Sequence, residues 1–228
     1  MTENLAPNVA RIRIWDVPTR LVHWLMVVLI PISWWTAESG NLEYHRYSGY
    51  LLLGLLLFRI YWGVAGSSSA RFSQFVKGPR AILKYLRDGT AASIGHNPLG
   101  ALSVVALLLL LLIQITLGLF AVDVDGLESG PLSHLVSFEA GRACAEWHAT
   151  VFDVLVWVIA LHVVAVLFYV FFKKQNLIGA MIHGRRESSN QSPQPEAPVA
   201  FASVTRAIVG IVLAVVLAWF IASGLELT

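Results

Sequence analysis

The sequence predicts an all-α integral membrane protein, built as a four-helix bundle with an additional fifth transmembrane helix at the C-terminus. Of the 228 residues, 57% are hydrophobic and only 13% are charged, whereas soluble domains carry about 25% charged residues. Several apolar stretches also reach the roughly 20 residues that a helix needs to cross the hydrocarbon core. These observations argue against a soluble enzyme, a nucleic-acid-binding protein and a disordered regulator.

Five segments are predicted to span the membrane. In chain order they run over residues 18–35, 43–64, 98–122, 142–172 and 204–225. Pro18 suits the first turn of the first helix, where its missing N–H is not needed. The single cysteine, Cys144, leaves no partner for a disulfide and too few thiols for a Cys-rich zinc site, an iron–sulfur cluster or a covalent c-type haem within the chain.

The connections between the helices divide the chain into four parts. Residues 1–17 form an N-terminal segment, 18–186 the four-helix domain, 187–202 a flexible linker rich in Ser, Gln and Pro, and 203–228 the additional helix. Within the domain, apolar and basic side chains alternate over residues 67–95, and Pro79 can start a short helix there. This pattern is typical of an amphipathic segment on an anionic leaflet, with a solvated basic loop as the alternative.

The basic residues are distributed unequally between the two sides that five crossings define. Of the 16 Lys and Arg, all but Arg46 and Arg142 fall on the side of the N-terminus. Because Lys and Arg accumulate in cytoplasmic loops, we expect the N-terminus in the cytoplasm and the C-terminus in the periplasm, with the protein in the bacterial inner membrane.

The predicted outer side is acidic. Eight carboxylates against two arginines give a net charge of about −6 there, carried by Glu38, Glu43, Asp123, Asp125, Glu128, Glu139, Glu146 and Glu226. Such a surface can steer a basic soluble partner, although simple solvation of loops explains the same residues equally well.

Four of the seven histidines fall inside predicted helices: His23 in the first, His45 in the second, and His148 and His162 in the fourth. Ionisable residues inside a membrane are costly and are functional candidates, although a single one is more often a hydrogen-bonded packing residue. His148 and His162 are 14 residues apart, about 40° short of four full turns, so they share one helix face at depths roughly 21 Å apart.

The topology supplies a partner at each depth. His23 lies near the inner side, as does His162, whereas His45 and His148 lie near the outer side. Two imidazoles at each of two levels form the ligand set for two bis-imidazole haems in a helix bundle. Gly49, one turn after His45 on the same face, is expected to leave room for a porphyrin.

Other uses of these histidines remain open. Two His per level are a poor zinc set, and Asp153 lies about 140° around the helix from His148, where a structural role or a contact with Gln114 or Thr116 is expected instead. A haem-free transporter could use intramembrane His as proton or metal relays. His96, in the inner connection, is a candidate for a proton path or a quinone contact, with a role at the helix entry as the alternative.

Several segments resemble one family. WDVPTRLVHW (15–24) resembles the entry to the first helix of prokaryotic cytochrome b561 proteins, which include the cytochrome b subunits of nickel–iron hydrogenases. The likeness covers roughly residues 11–187 and is carried further by HRYSGYLLLGLLLFRIYWGVAG (45–66), RFSQFVKGPRAILKYL (71–86), GHNPLGAL (95–102), WHATVFDVLVWVIALHVVAV (147–166) and NLIGAMIHGRR (176–186).

The resemblance implies a four-helix bundle that holds two non-covalent b-type haems, with axial roles for the four intramembrane histidines. It implies electron transfer between the quinone pool and a redox partner, so that the chain acts as an electron-transfer cytochrome b or as the quinone-reactive subunit of an oxidoreductase complex. A hydrogenase, a periplasmic c-type cytochrome and superoxide (in a self-contained superoxide:quinone oxidoreductase) are the alternative partners. The fifth helix departs from short family members.

Arginines are expected near the haem propionates. Arg46 lies at the depth of the outer haem, and Arg59 or Arg20 at that of the inner one. Ordinary interface arginines would occupy the same depths.

Overall fold

A computed structural model describes residues 11–88, 98–187 and 199–226, and these form an all-α bundle joined at one end by a short two-stranded sheet. Five of the helices are long and apolar enough to cross a membrane, which confirms the predicted fold class. They are α1 (Val17–Glu38), α2 (Leu42–Ala65), α5 (Pro98–Phe120), α6 (Phe138–Phe171) and α8 (Val204–Ala222). Between them lie α3 (Phe72–Phe75), α4 (Pro79–Asp88), α7 (Leu177–His183) and the strands β1 (Arg11–Arg13) and β2 (Arg185–Glu187).

The fourth predicted helix begins earlier than expected. The sequence predicted a start at Arg142, whereas α6 starts at Phe138. Ser137 is the reason, because its hydroxyl accepts a hydrogen bond from the Ala140 N–H at 3.2 Å and satisfies one of the unpaired donors of the first turn. Glu139 in that turn adds a favourable interaction with the helix dipole. At 34 residues, α6 is longer than the roughly 20 residues that cross the hydrocarbon core.

The four-helix part packs as two hairpins. α1 lies along α2 and α5 lies along α6, while α2 and α5 make a narrower contact. A central apolar cluster joins all four helices through fully buried Leu56 and Leu155, together with Leu111, Met26 and further leucines around them. Among the described residues, α1 and α6 make few direct contacts. The apolar cluster therefore divides the space between the two hairpins into one part above it and one part below it.

Polar contacts close the end of the bundle at which α1 begins. Asp16 caps α1 by accepting from the Thr19 N–H at 2.8 Å, and its second oxygen accepts from the Trp62 indole N–H at 2.9 Å. Because both partners are buried, these bonds join the beginning of α1 to the end of α2. Antiparallel pairing of β1 with β2 ties the same end to the exit from α7.

The fifth transmembrane helix, α8, packs against α2 of its own chain. Gly210 makes this possible, since a Cβ there would overlap the Tyr61 ring, and the Tyr61 hydroxyl donates to the Arg206 carbonyl at 3.2 Å. The segment before α8 is held by the Ser67 and Ser68 hydroxyls, which accept backbone N–H groups of 200–202 at 3.0 Å. Most of the predicted linker, 188–198, lies outside the described residues.

Candidate functional site

Two of the predicted histidines meet near one end of the bundle. His45 on α2 and His148 on α6 have ring centroids 6.0 Å apart, with the ring planes perpendicular. The two rings belong to separate hairpins, and both residues are partly buried. The predicted pairing of His45 with His148 therefore corresponds to a close approach of the two side chains.

We call His45 and His148 the outer pair, after the side on which the sequence predicts them. In both rings Nδ1, the nitrogen nearer the backbone, makes the hydrogen bond. His45 Nδ1 donates to the Ser33 carbonyl at 2.8 Å and lies 3.2 Å from the Ser33 hydroxyl. His148 Nδ1 donates to the Gln114 carbonyl at 2.9 Å. A carbonyl can only accept, so the ring proton sits on Nδ1 and each Nε2 keeps its lone pair. This is the usual arrangement of a metal-binding histidine and its outer hydrogen-bond partner.

The position of His148 depends on a glycine of α5. A Cβ built at Gly118 would lie 2.9 Å from Cε1 and 3.1 Å from Nδ1 of His148. Gly118 follows Gln114 by one helical turn and lies on the same face of α5. Because Gly118 has no side chain, the imidazole can approach α5 closely enough to reach the Gln114 carbonyl.

The inner pair is arranged in a related but incomplete way. His162 Nδ1 lies 3.1 Å from the Ser103 hydroxyl of α5. His23 lies close enough to His162 for their side-chain charges to interact. His23 Nδ1 is buried without a hydrogen-bond partner among the described residues, which is unusual because buried polar atoms are normally satisfied.

The spacing of the outer pair is that of two imidazoles that would share one metal ion. An imidazole nitrogen binds a metal at about 2.0–2.1 Å, so two rings on opposite sides of one metal have centroids about 6 Å apart. Nothing lies within 4 Å of a Cβ built at Gly49, one turn beyond His45, so open space adjoins the pair where a porphyrin would extend. The residues present therefore fit a b-type haem.

The two levels are separated by apolar side chains. His148 and His162 share one face of α6 with roughly 21 Å between them, and the central cluster around Leu56 and Leu155 fills the bundle between these depths.

The predicted arginines are paired within the protein. Arg46 forms an ion pair with Glu128 of the α5–α6 connection. Arg59 is buried, donates to the Ala70 carbonyl at 3.4 Å and lies over the Phe72 ring. Arg20 donates to the Asp16 carbonyl at 3.4 Å and to the Ile182 carbonyl. None of these contacts involves a propionate, so that role stays a prediction for all three arginines.

Asp153 does not make the buried contact with Gln114 or Thr116 that the sequence suggested. It is exposed on the surface of α6, because the α6 face toward α5 is set by His148 and Leu155. His96 lies outside the described residues.

Sequence reasoning missed the residues that hold the histidines. Ser33, Ser103 and Gly118 are small residues in apolar helices, and the Gln114 contact uses a backbone carbonyl. Ser33 and Ser103 offered one signal, since a lone hydroxyl in a transmembrane helix usually has a hydrogen-bond partner. The Gly118 contact could not be seen without knowing how α5 and α6 are rotated.

Comparison with known families gives one match. The family model described as prokaryotic cytochrome b561 matches residues 14–184. This range includes His23, His45, His148 and His162 and ends before α8. Comparison with curated proteins and with solved structures finds no match.

Proposed function

Because the chain belongs to the prokaryotic cytochrome b561 family, we propose that it transfers electrons across the bacterial inner membrane through two b-type haems, between the quinone pool and a periplasmic redox partner. The family implies b-type haem and transmembrane electron transfer. The number of haems, their ligands and the two sites of electron exchange are argued from the described residues.

The outer histidine pair carries the proposal. His45 and His148 have centroids 6.0 Å apart, and both donate Nδ1–H to backbone carbonyls, which leaves both Nε2 atoms free to bind iron. A proton relay does not need two imidazoles fixed in this way, whereas bis-imidazole ligation does. We assign His23 and His162 to a second haem at the inner level.

The protein residues fix and insulate the two haem levels. Haems bound there would supply one-electron carriers at two depths of the membrane. Ser33 and the Gln114 carbonyl orient the outer imidazoles, and Ser103 orients His162. His45 with His148, and His23 with His162, would hold these haems.

An apolar groove between α2, α3 and α5 offers a place for quinone. Its volume is about 570 Å³, within the range of small-molecule sites, and its lining consists of Ile60, Phe72, Ser73, Val76, Val105, Leu108, Leu109 and Leu112. Several of these side chains are exposed where lipid would lie, so a membrane-dissolved quinone has direct access. Val105, which lines the groove, and Ser103, which contacts His162, lie about 160° apart around α5. The groove and His162 are therefore on opposite sides of α5, separated by the helix diameter of about 10 Å.

The acidic end of the bundle favours a basic protein partner. Seven of the eight predicted outer carboxylates lie where α1, α5 and α8 end and α2 and α6 begin, and Glu146 lies two turns into α6. Two of the eight are in ion pairs, Glu128 with Arg46 and Glu146 with Arg142. Such a surface attracts a basic c-type cytochrome or hydrogenase subunit and repels the superoxide anion. Electron transfer to a basic cytochrome should slow as salt is raised, and a rate independent of salt would contradict steering by this surface.

A haem determination with histidine variants tests the proposal. The purified full chain should contain two b-type haems, His148→Ala should lose mainly the outer haem, and His162→Ala mainly the inner one. His134→Ala removes an exposed histidine outside both pairs and should keep both haems. Absence of haem in protein expressed with adequate haem supply, or unchanged haem in both paired variants, would defeat the assignment.

A further inference from the structure

The short helix α4 carries an exposed basic face. Arg80, Lys84 and Arg87 follow one another at spacings of four and three residues, which places them in a row about 10 Å long on one side of the helix. These three cations and Leu83 line a cavity of about 380 Å³, and all four side chains are exposed. No acidic side chain lines this cavity among the described residues.

The opposite side of α4 packs against the protein. Ile82 and Tyr85 are half-buried, α4 contacts α5, and the Tyr85 hydroxyl lies 2.6 Å from the Tyr169 hydroxyl of α6. An amphipathic helix on a membrane surface usually buries its apolar face in the leaflet. In α4 the half-buried Ile82 and Tyr85 are turned to the bundle, which leaves the three cations and Leu83 to meet the leaflet. The sequence-based expectation of an amphipathic segment on an anionic leaflet stays a prediction.

The surface cavity lined by Arg80, Leu83, Lys84 and Arg87, called the basic groove below, lies on the exposed side of α4. Its three cations suit an anion that comes from outside the protein. Because α4 packs on the transmembrane helix α5 and lies between two membrane crossings, we expect the phosphates of the adjoining leaflet to lie beside it. Clusters of Lys and Arg at this level are recognised by anionic lipid headgroups. Leu83, exposed between the cations, offers an apolar contact that a phospholipid can use and a free anion cannot.

We propose that the groove of Arg80, Leu83, Lys84 and Arg87 binds the headgroup of an anionic phospholipid. The phosphate contacts the three cations, and the first carbons of the acyl chains lie against Leu83. A lipid bound there neutralises three like charges on one helix face and holds α4 against α6 through the Tyr85–Tyr169 contact.

Lipid retention by the full chain tests the proposal. The protein is purified in detergent, supplied with phosphatidylcholine alone or with added phosphatidylglycerol or cardiolipin, and examined by native mass spectrometry and thermal unfolding. The wild type should retain anionic lipid and unfold at a higher temperature with it. The variant Arg80→Gln/Lys84→Gln/Arg87→Gln should lose most of that retention, on the order of tenfold in lipid affinity or more, and most of the thermal shift.

A matched variant keeps the test specific. Lys173→Gln/Lys174→Gln/Arg185→Gln removes the same charge from exposed positions at the same end of the bundle, and it should retain anionic lipid as the wild type does. Equal loss in both triple variants, or no loss in the groove variant, would overturn the proposal. Equal stabilisation by inorganic phosphate added to the phosphatidylcholine sample would also overturn it, because a soluble anion would then suffice.

A single substitution covers the case in which the triple variant does not fold. Lys84→Gln, in the middle of the groove, should weaken retention several-fold, and Lys84→Arg should keep it. Unchanged retention in Lys84→Gln would overturn the central role of the groove. None of these measurements depends on haem, so their failure is distinguishable from failure of the proposed electron transfer.

Discussion

Replacing Gly118 by alanine tests how His148 is held. The added Cβ would lie 2.9 Å from Cε1 and 3.1 Å from Nδ1 of the His148 ring, whereas carbon contacts are optimal at about 3.5–4.0 Å. The ring must therefore move away from α5 by roughly 0.5–1 Å. That movement lengthens or breaks the 2.9 Å hydrogen bond to the Gln114 carbonyl.

The size of the effect follows from the role of that hydrogen bond. Loss of the group that orients a metal-binding histidine typically costs about 10–100-fold in affinity, which corresponds to about 1.4–2.8 kcal/mol. Alanine itself favours a helix over glycine by about 1 kcal/mol. Weaker haem binding in Gly118→Ala would therefore reflect the displaced imidazole and not a weaker α5.

The assay is the haem content of the purified variant, measured by an alkaline pyridine spectrum with protein quantitation and followed during incubation with an excess of a haem-binding acceptor. The outer haem should be lost faster than the inner one. Gly54→Ala is the matched control, because its Cβ meets only Ala218 at 3.8 Å, an ordinary contact, and it should keep both haems. Full and equally stable haem content in Gly118→Ala would refute the position of the His148 ring.

Three further predictions follow from single contacts. Ser103→Ala removes the hydroxyl 3.1 Å from His162 Nδ1, which makes His162 a less electron-donating ligand. A redox titration should show the potential of the inner haem raised by up to about 40 mV, the one-electron equivalent of a hydrogen bond worth about 1 kcal/mol. A lowered potential would contradict this prediction. Val105→Trp fills the apolar groove on α5 and should raise the KM for quinone in a reduction assay without changing haem content; an unchanged KM would place the quinone elsewhere. Trp62→Phe leaves a buried Asp16 oxygen without its 2.9 Å hydrogen-bond partner. It should lower the free energy of unfolding by about 1–3 kcal/mol, measured by denaturant unfolding in detergent. An unchanged unfolding midpoint would be the contrary result.

The transmembrane helices were predictable because their signal is local. A run of apolar side chains long enough to cross the hydrocarbon is visible in the sequence without knowledge of any neighbour, and all five predicted helices are present. The start of α6 was misplaced because a cap depends on one hydroxyl, that of Ser137, and not on apolar length. The 14-residue spacing of His148 and His162 was also a local property, since helical periodicity alone places them on one face.

The sequence by itself thus determined the fold class, the helix that carries each paired histidine and the family resemblance. Only the tertiary structure decided which surfaces meet. It brought His45 and His148 to 6.0 Å, turned the apolar side of α4 toward α6 and set α8 on α2. The physical reason is that a helix shows its own periodicity in sequence, whereas its rotation against another helix depends on small residues such as Gly118 and Gly210, whose effect appears only when the partner is in place.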